Sequence, residues 1–248
     1  MRMHRFDAVR GRFDRLLWGL LPGVCVLCDL STGVAADLCE HCCAALPRLE
    51  APCPRCALPL QNQGDALCTA CHSRPPPYAR TVAALRYSEP VARMIHRLKF
   101  RGSLIDARVL GGLLAASIAA AYTQQPLPDV VVAVPLSRRR LLRRGHNQAA
   151  LLARWLGGPF EPAACERVRD TPPQAGLSRA RRLLNLADAF VARRRFDDLC
   201  VAVVDDVMTT GTTVGSLSQT LLAAGAREVH VWAAARTLQP THESTLLE

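Results

Sequence analysis

The sequence predicts an α/β protein in which a doubly wound parallel sheet follows a small cysteine-rich module. Three observations support this fold class. Strand-like and helix-like segments alternate from residue 81 onward, eight cysteines fall in four CxxC pairs before residue 72, and half of the 248 residues are hydrophobic. Alternating strands and helices favour a parallel sheet with helices on both faces. A chain of this length can hold one medium-sized domain and one small one.

Composition divides the chain into three expected segments. Residues 1–24 combine charged positions with apolar residues that fit one helix face, which predicts an amphipathic helix. Residues 25–74 hold the cysteine pairs, and residues 80–238 hold the alternating strands and helices. Between them, Arg74-Pro75-Pro76-Pro77 predicts a stiff spacer.

The four CxxC pairs are separated by ten, ten and eleven residues. Tetrahedral zinc takes four thiolates from two such pairs, so the spacing predicts two structural zinc ribbons in tandem. The region has few large apolar residues, so metal would have to stabilise it. The spacing also leaves open an interleaved pairing, first with third and second with fourth. With sequential pairing, the ligands are Cys25, Cys28, Cys39 and Cys42 for one zinc and Cys53, Cys56, Cys68 and Cys71 for the other.

No secretory or membrane-spanning segment is evident in the sequence. The apolar run at residues 109–122 is rich in Ala and Gly and is shorter than the roughly 20 residues that span a bilayer, which predicts a buried helix. We therefore expect a cytoplasmic protein without membrane insertion. Thiols stay reduced in that compartment, which favours metal ligation over disulfides for the eleven cysteines.

Apolar runs predict the strands of the second domain, and apolar residues at helical spacing predict its helices. The expected strands are 81–87, 129–134, 199–204 and 228–235, and the expected helices are 90–100, 104–122, 147–156 and 212–224. Cys165 and Cys200 lie in strand-like segments and are expected to be small buried hydrophobes. In such sheets, ligands bind at the carboxyl ends of the strands.

Residues 203–213 carry the most informative pattern, an apolar strand followed by two acids and a hydroxyl-rich turn that opens a helix. Gly211 lets the backbone approach a ligand closely. Free amides at the start of the helix, with the hydroxyls of Thr209, Thr210 and Thr213, suit a phosphate monoester. Asp205 and Asp206 would repel phosphate, so they are placed to accept hydrogen bonds from sugar hydroxyls. The pattern predicts a phosphosugar site.

A second strand end, at residues 134–140, predicts a tight turn with free amides, the Ser137 hydroxyl and guanidinium groups that begin at Arg138. This combination suits a pyrophosphate. The other interpretation of these arginines is a solvated basic surface. The net charge of +10 favours an anionic partner, either nucleic acid or a polyphosphate, and does not choose between them.

These motifs resemble known families. The apolar strand, acidic pair and T-T-G-x-T turn are similar to the phosphoribosyl pyrophosphate (PRPP) motif of type I phosphoribosyltransferases. With residues 143–149, 174–178 and 185–186, and with Tyr87, Lys99, Gly102 and Arg182, nearly the whole chain, from Cys25 to about Arg236, resembles the ComF (competence protein F) family. That family joins a cysteine-rich zinc module to a phosphoribosyltransferase-like domain. His146 departs from it, because an aromatic Phe or Tyr is usual there.

The resemblance implies roles for individual residues. Asp205 and Asp206 would hold the ribose hydroxyls, Ser137 and Arg138 the pyrophosphate, and Asp205, Asp206 and Arg144 would form the catalytic group. Mg²⁺ would bridge the ribose and pyrophosphate oxygens with few direct protein contacts. Further PRPP contacts are implied at Asn147 and Gln148, beside a closing loop, and at Met208, Thr209, Thr210, Gly211, Thr212 and Thr213.

The resemblance also implies a role in DNA uptake during natural transformation, with PRPP, single-stranded DNA or competence machinery proteins as partners. Three hypotheses stay open. The chain is a phosphoribosyltransferase with an unspecified acceptor, a nucleic-acid-binding adaptor that lost transfer, or a PRPP sensor that signals through its ribbons. Fold alone does not separate them.

Overall fold

A computed structural model describes residues 23–32, 37–60, 62, 64–169 and 189–238. Residues 1–22 of the expected N-terminal helix lie outside these ranges. So does the stretch 174–186, with Arg182, on which part of the family resemblance depends.

Seven helices and six strands lie in the described ranges. The helices are α1 (Glu40–Ala44), α2 (Thr69–Ser73), α3 (Val91–Arg101), α4 (Leu104–Ala121), α5 (Arg138–Arg144), α6 (Gln148–Ala153) and α7 (Thr212–Ala223). The strands are β1 (Arg80–Arg86), β2 (Val130–Ala133), β3 (Cys165–Arg167), β4 (Phe190–Ala192), β5 (Cys200–Met208) and β6 (Glu228–Arg236).

The main sheet has the order β1-β6-β5-β2, and every pairing in it is parallel. Helices α3, α4 and α6 pack on one face and α7 packs on the other, so the sheet is buried on both sides. Double burial explains why β2 and most of β5 are continuous apolar runs. The structure confirms the predicted class, a doubly wound parallel sheet with an N-terminal zinc-ribbon module.

Helix α4 contains most of the apolar run at residues 109–122, for which the sequence predicts a buried helix. Its length of 18 residues and its mean hydropathy of 1.6 would also suit a helix that spans a membrane. Its residues Ala107, Leu110, Leu114 and Ile118 are buried in the cluster that also contains Trp232 of β6. Packing against the sheet therefore accounts for its apolar character.

Strand β5 continues four residues beyond the predicted end at 204, so both acids belong to the strand. The cause is pairing with β6, in which Asp205 lies opposite Ala233 and Met208 opposite Arg236. Backbone pairing over this length overrides the low strand propensity of Asp.

The predicted tight turn after residue 137 is also wrong, because residues 138–144 form α5. The Ser137 side chain caps this helix by accepting a hydrogen bond from the Arg140 amide at 3.4 Å. A short antiparallel pair, β3 with β4, was not predicted.

Each end strand of the main sheet has chain packed along its outer side. The Thr81 amide of β1 donates to the Pro54 carbonyl, and the Arg86 amide donates to the Pro47 carbonyl. On the far side, residues 159–161 bridge β2, because Val131 donates to Pro159 and accepts from Glu161. The ribbon region therefore lies directly against the sheet.

Candidate functional site

The cysteines form two clusters in the structure, and each contains two consecutive CxxC pairs. In each cluster the four sulfur atoms lie within 4.8 Å of one another. This is the sequential pairing, not the interleaved one. The first cluster holds Cys25, Cys28, Cys39 and Cys42, and the second holds Cys53, Cys56, Cys68 and Cys71.

Each cluster contains one thiol that favours the charged form. Burial opposes ionisation of Cys25, but hydrogen bonds from the backbone of Cys39, Leu27 and Cys28 lower its pKa to about 6. In the second cluster, burial is again outweighed by backbone hydrogen bonds, which lower the pKa of Cys53 to about 7. Four converging thiols with a thiolate among them fit a tetrahedral zinc ion. The donor set therefore supports structural zinc in both ribbons.

Asp205 and Asp206 face opposite sides of the sheet, because successive strand residues alternate. Asp205 borders a shallow depression at the start of α7. Asp206 is 8% exposed and faces α3, where Lys99 Nζ lies 3.1 Å from its Oδ2. The two carboxylates thus approach a ligand from different sides, and one of them already has a cationic partner.

The carboxyl group of Asp205 lies at a half-buried position. Burial is the main cause that raises its pKa well above the ordinary value, and the neighbouring Asp206 carboxylate raises it further. Lys99 acts in the opposite direction. A carboxyl group kept in such surroundings is typical of functional sites, where a ligand or cation completes its environment.

The threonine loop, residues 209–213, joins β5 to α7. Gly211 caps the helix in a left-handed conformation, φ 77°. A Cβ atom there would lie 2.8 Å from Tyr78 Oη and 2.9 Å from Met208 Cε, so any other residue would be strained at this position. Thr209 and Thr210 are exposed, and Thr210 Oγ1 lies 2.6 Å from Thr212 Oγ1. Hydroxyls and the first amides of a twelve-residue helix therefore meet at the depression beside Asp205.

A second polar group lies on the Asp206 side. Arg144 Nη1 donates to Gln148 Oε1 at 3.0 Å. Among the residues that the structure describes, Arg144 Nε, Gln148 Nε2 and Asp206 Oδ2 are buried and have no hydrogen-bond partner, although Oδ2 has the ion pair with Lys99. Buried polar atoms are nearly always satisfied in proteins, so such groups indicate a missing ligand or water.

Other predicted contact residues lie at the starts of helices. Asn147 Oδ1 caps α6 by accepting from Ala149 and Ala150, and its Nδ2 donates to the Val134 carbonyl at 3.0 Å. Its contact with PRPP stays a prediction. Ser137 is buried at the start of α5, whereas Arg138 is exposed beside it.

His146 packs against the C-terminal end of helix α3. Its Nε2 lies 2.7 Å from the Leu98 carbonyl oxygen. Its ring lies over Gly102, where an added Cβ would come 3.2 Å from His146 Cε1. His146 therefore packs as an aromatic residue would, and also makes a hydrogen bond that Phe cannot.

Two residues near the site were not assigned a role by sequence reasoning. Lys99 belongs to the residues that carry the family resemblance, and in the structure it is the ion-pair partner of Asp206. Arg236 ends β6, is 3% exposed, and donates to the carbonyl of Met208 at 2.8 Å. The signal for Arg236 was available, since a charged residue that follows a run of apolar strand residues needs a buried partner.

Three residues of a further cluster, Cys200, Glu228 and His230, also bring metal-binding atoms together. A hydrogen-bond chain explains them. Trp232 Nε1 donates to Tyr122 Oη at 3.2 Å, Tyr122 lies 2.7 Å from His230 Nδ1, and His230 Nε2 bonds to Glu228. Both ring nitrogens of His230 therefore already have partners within the protein.

Comparison with known proteins gives a consistent result. Residues 16–75 match the family model of the double zinc ribbon domain. The DNA utilization protein YhgH of Salmonella typhi is 38% identical over 225 residues, which cover 88% of this chain and 99% of that protein. Competence protein F of Haemophilus influenzae is 35% identical, covering 86% and 96%. Competence protein ComFC of Streptococcus pneumoniae is 24% identical, covering 80% and 87%.

Solved structures give weaker likenesses. A hypoxanthine phosphoribosyltransferase from Staphylococcus aureus is 12% identical with a TM-score of 0.37, covering 55% of this chain and 76% of that one. An allosteric regulatory enzyme of purine biosynthesis is 26% identical with a TM-score of 0.34, covering 52% and 26%. The assignment therefore depends on the sequence relatives, the ribbon match and the motifs. On these grounds the chain belongs to the ComF (competence protein F) family, which joins a double zinc ribbon to a phosphoribosyltransferase-like domain.

Proposed function

We propose that this protein binds PRPP with Mg²⁺ at the carboxyl end of β5 and acts in the cytoplasmic handling of DNA during uptake. The names of its relatives, DNA utilization protein and competence protein F, support the biological part. The ligand part depends on one observation. In the described part of the chain, Arg144 and Gln148 each keep one buried nitrogen without a hydrogen-bond partner near Asp206, while the half-buried Asp205 borders a helix-opening threonine loop.

The threonine loop would hold the 5′-phosphate. Exposed hydroxyls and helix-start amides offer hydrogen bonds to a dianion, and the helix dipole favours negative charge there. Asp205 lies beside this loop and would accept hydrogen bonds from the ribose. Arg144, with one unpartnered nitrogen, and Gln148 would serve the pyrophosphate end. Burial lowers the pKa of Arg144, and an anionic ligand would relieve that penalty.

The protein groups fit a magnesium ion that is bound mainly by its ligand. Asp205 is the carboxylate nearest the threonine loop, and Asp206 is already paired with Lys99. Mg²⁺ commonly uses one or two carboxylates and takes its other oxygens from phosphates and water. The ion would neutralise pyrophosphate charge, while the protein would orient the sugar.

Thermal unfolding tests the site directly. PRPP with Mg²⁺ should raise the melting temperature, and Asp205→Ala with Asp206→Ala should remove the rise. A matched control is available in the exposed pair Asp197 and Asp198, just before β5. Its double alanine variant should keep the full shift. If saturating PRPP does not shift the melting temperature of the wild type, the site is excluded. If PRPP does bind, a screen for pyrophosphate release over bases, nucleotides and DNA ends would identify any acceptor.

One observation favours a second function, binding of single-stranded nucleic acid. Phe100 is 61% exposed, its ring lies 4.5 Å from that of His96, and the Arg144 guanidinium lies 5.5 Å from its centre. An exposed aromatic ring beside a cation can stack on a base. Phe100→Ala should then weaken single-stranded DNA binding, and the affinity should fall steeply with salt. A weak affinity that does not change with salt would exclude this function.

A further inference from the structure

Arg236 links the second cysteine cluster to the threonine loop. Its Nε donates to the Cys56 carbonyl at 2.9 Å. Its Nη1 donates to the Met208 carbonyl at 2.8 Å and also bonds to the carbonyl of Thr209. One buried guanidinium group therefore holds a cysteine knuckle and the entry to the loop at the same time.

Arg236 is buried beside the second cysteine cluster, since its Nε bonds to the Cys56 carbonyl. Among the described residues, no carboxylate forms an ion pair with it. A buried cation without an anion is costly. Zinc with four thiolates carries a net negative charge, so a loaded second cluster supplies the counter-charge that this arginine lacks.

The bonds from Arg236 also set the orientation of the loop. In a trans peptide the carbonyl and the following amide point in opposite directions. The carbonyls of Met208 and Thr209 point towards Arg236, so the amides of Thr209 and Thr210 face away from it. These amides belong to the loop that borders the depression. Fixing the two carbonyls therefore fixes the donors that a phosphate would use.

Tyr78 gives the same connection a second support. It is 4% exposed, and its hydroxyl occupies the space that a Cβ atom of Gly211 would need. Tyr78 directly follows the spacer that leaves the second ribbon, so this part of the chain contacts the loop at its glycine.

We propose that Arg236 is a positioning residue through which zinc in the second ribbon orders the threonine loop, and that this ribbon therefore controls anion binding. The inference extends the proposed PRPP site and rests on it for the identity of the anion. The first ribbon has no such link, because its described contacts with the sheet domain go to α3 and α4 through Arg97 and Arg108.

Hydrogen–deuterium exchange of residues 209–213 tests the link without any ligand. Arg236→Gln should keep two zinc ions per chain, matching the two clusters, while loop exchange accelerates about tenfold. The matched control is Arg86→Gln, because Arg86 lies opposite Arg236 in the sheet and is exposed. Exchange in the interior of β5 should stay unchanged in both variants. Equal loop exchange in the two variants would overturn the proposal.

Loss of zinc from the second ribbon gives a second test of the link. Cys71→Ser should accelerate loop exchange as Arg236→Gln does, whereas Cys42→Ser should not. If Arg236→Gln fails to fold, Arg236→Lys serves instead, because it keeps the charge but cannot hold the knuckle and the loop together. It should give the same acceleration, and normal exchange in it would overturn the proposal.

The two proposals fail in different ways. PRPP affinity of the wild type should fall about tenfold in Arg236→Gln, with no matching loss in Arg86→Gln. A wild type that binds no PRPP but shows the exchange pattern would remove the PRPP site and leave the link in place. Normal PRPP affinity in Arg236→Gln would remove the link and leave the site.

Discussion

Lys99 and Asp206 join helix α3 to the carboxyl end of the central strand, with Nζ and Oδ2 3.1 Å apart. The side chains are 26% and 12% exposed, so the pair is largely withdrawn from water. Removing one partner from a buried pair leaves an uncompensated charge, and that loss is larger than the net contribution of the pair itself.

Lys99→Met should therefore lower the free energy of unfolding by about 2 kcal/mol, less than for a fully buried pair because Lys99 keeps some contact with water. Urea unfolding measures the change. The double variant Lys99→Met with Asp206→Leu should recover most of the loss, since neither charge then remains. If the double variant is no more stable than Lys99→Met, the ion pair does not explain the loss of stability in Lys99→Met.

Asp205→Asn should stabilise the protein at neutral pH, by about 1 kcal/mol, while abolishing PRPP binding. The folded protein raises the pKa of Asp205 above the ordinary value near 4. Between those two values the native state binds more protons than the unfolded state, so the contribution of Asp205 to stability falls as pH rises. Asn does not titrate and avoids this loss.

The gain from Asp205→Asn should accordingly vanish below about pH 4 and grow as pH rises through the raised folded value. Melting temperatures across pH 3–8 measure it, with exposed Asp198→Asn as the control. A gain that is constant over this range would show that burial of a charge is not its cause.

Zinc should leave the two ribbons at different rates. All four cysteines of the second cluster are buried, whereas in the first Cys28 is exposed and Cys39 and Cys42 are half-buried. A chelator that changes colour when it binds zinc should therefore show a fast and a slow phase of zinc release. Cys42→Ser should remove the fast phase. The control Cys43→Ser, outside both clusters, should keep both phases. A single phase in the wild type would contradict this assignment.

Gly211→Ala should destabilise the protein by about 2 kcal/mol, because it combines a left-handed conformation with a close contact to Tyr78. Gly112→Ala is the matched control. A Cβ atom there meets nothing within 4 Å, and Ala is the better helix former, so it should be neutral or stabilising. Thermal unfolding separates the two, and PRPP binding should be lost only in Gly211→Ala.

The sequence was enough for the parts of the fold that depend on local pattern. The CxxC spacing predicts both cysteine clusters, and the apolar runs predict the four main strands. Tertiary pairing determined the rest. Strand β5 extends through the acidic pair because β6 extends beside it, and that extension sends Asp205 and Asp206 to opposite faces.

Side-chain partners were the least predictable part of the site. Arg138 was expected in a turn, but the run of arginines at 138–144 forms a helix because Ser137 supplies its cap. Asn147 also bonds to the backbone of α6 and to Val134, which its motif does not show. Arg236 reaches Cys56 across 180 residues of sequence, and no local pattern shows such a contact.

The hydrogen bonds from Thr81 and Arg86 to the ribbon region also shield the outer side of β1. Strand edges with free amides recruit other chains, and proteins cover them to avoid aggregation. A ribbon that unfolds without metal would uncover this edge. Metal starvation should then cause the protein to self-associate before the sheet itself melts.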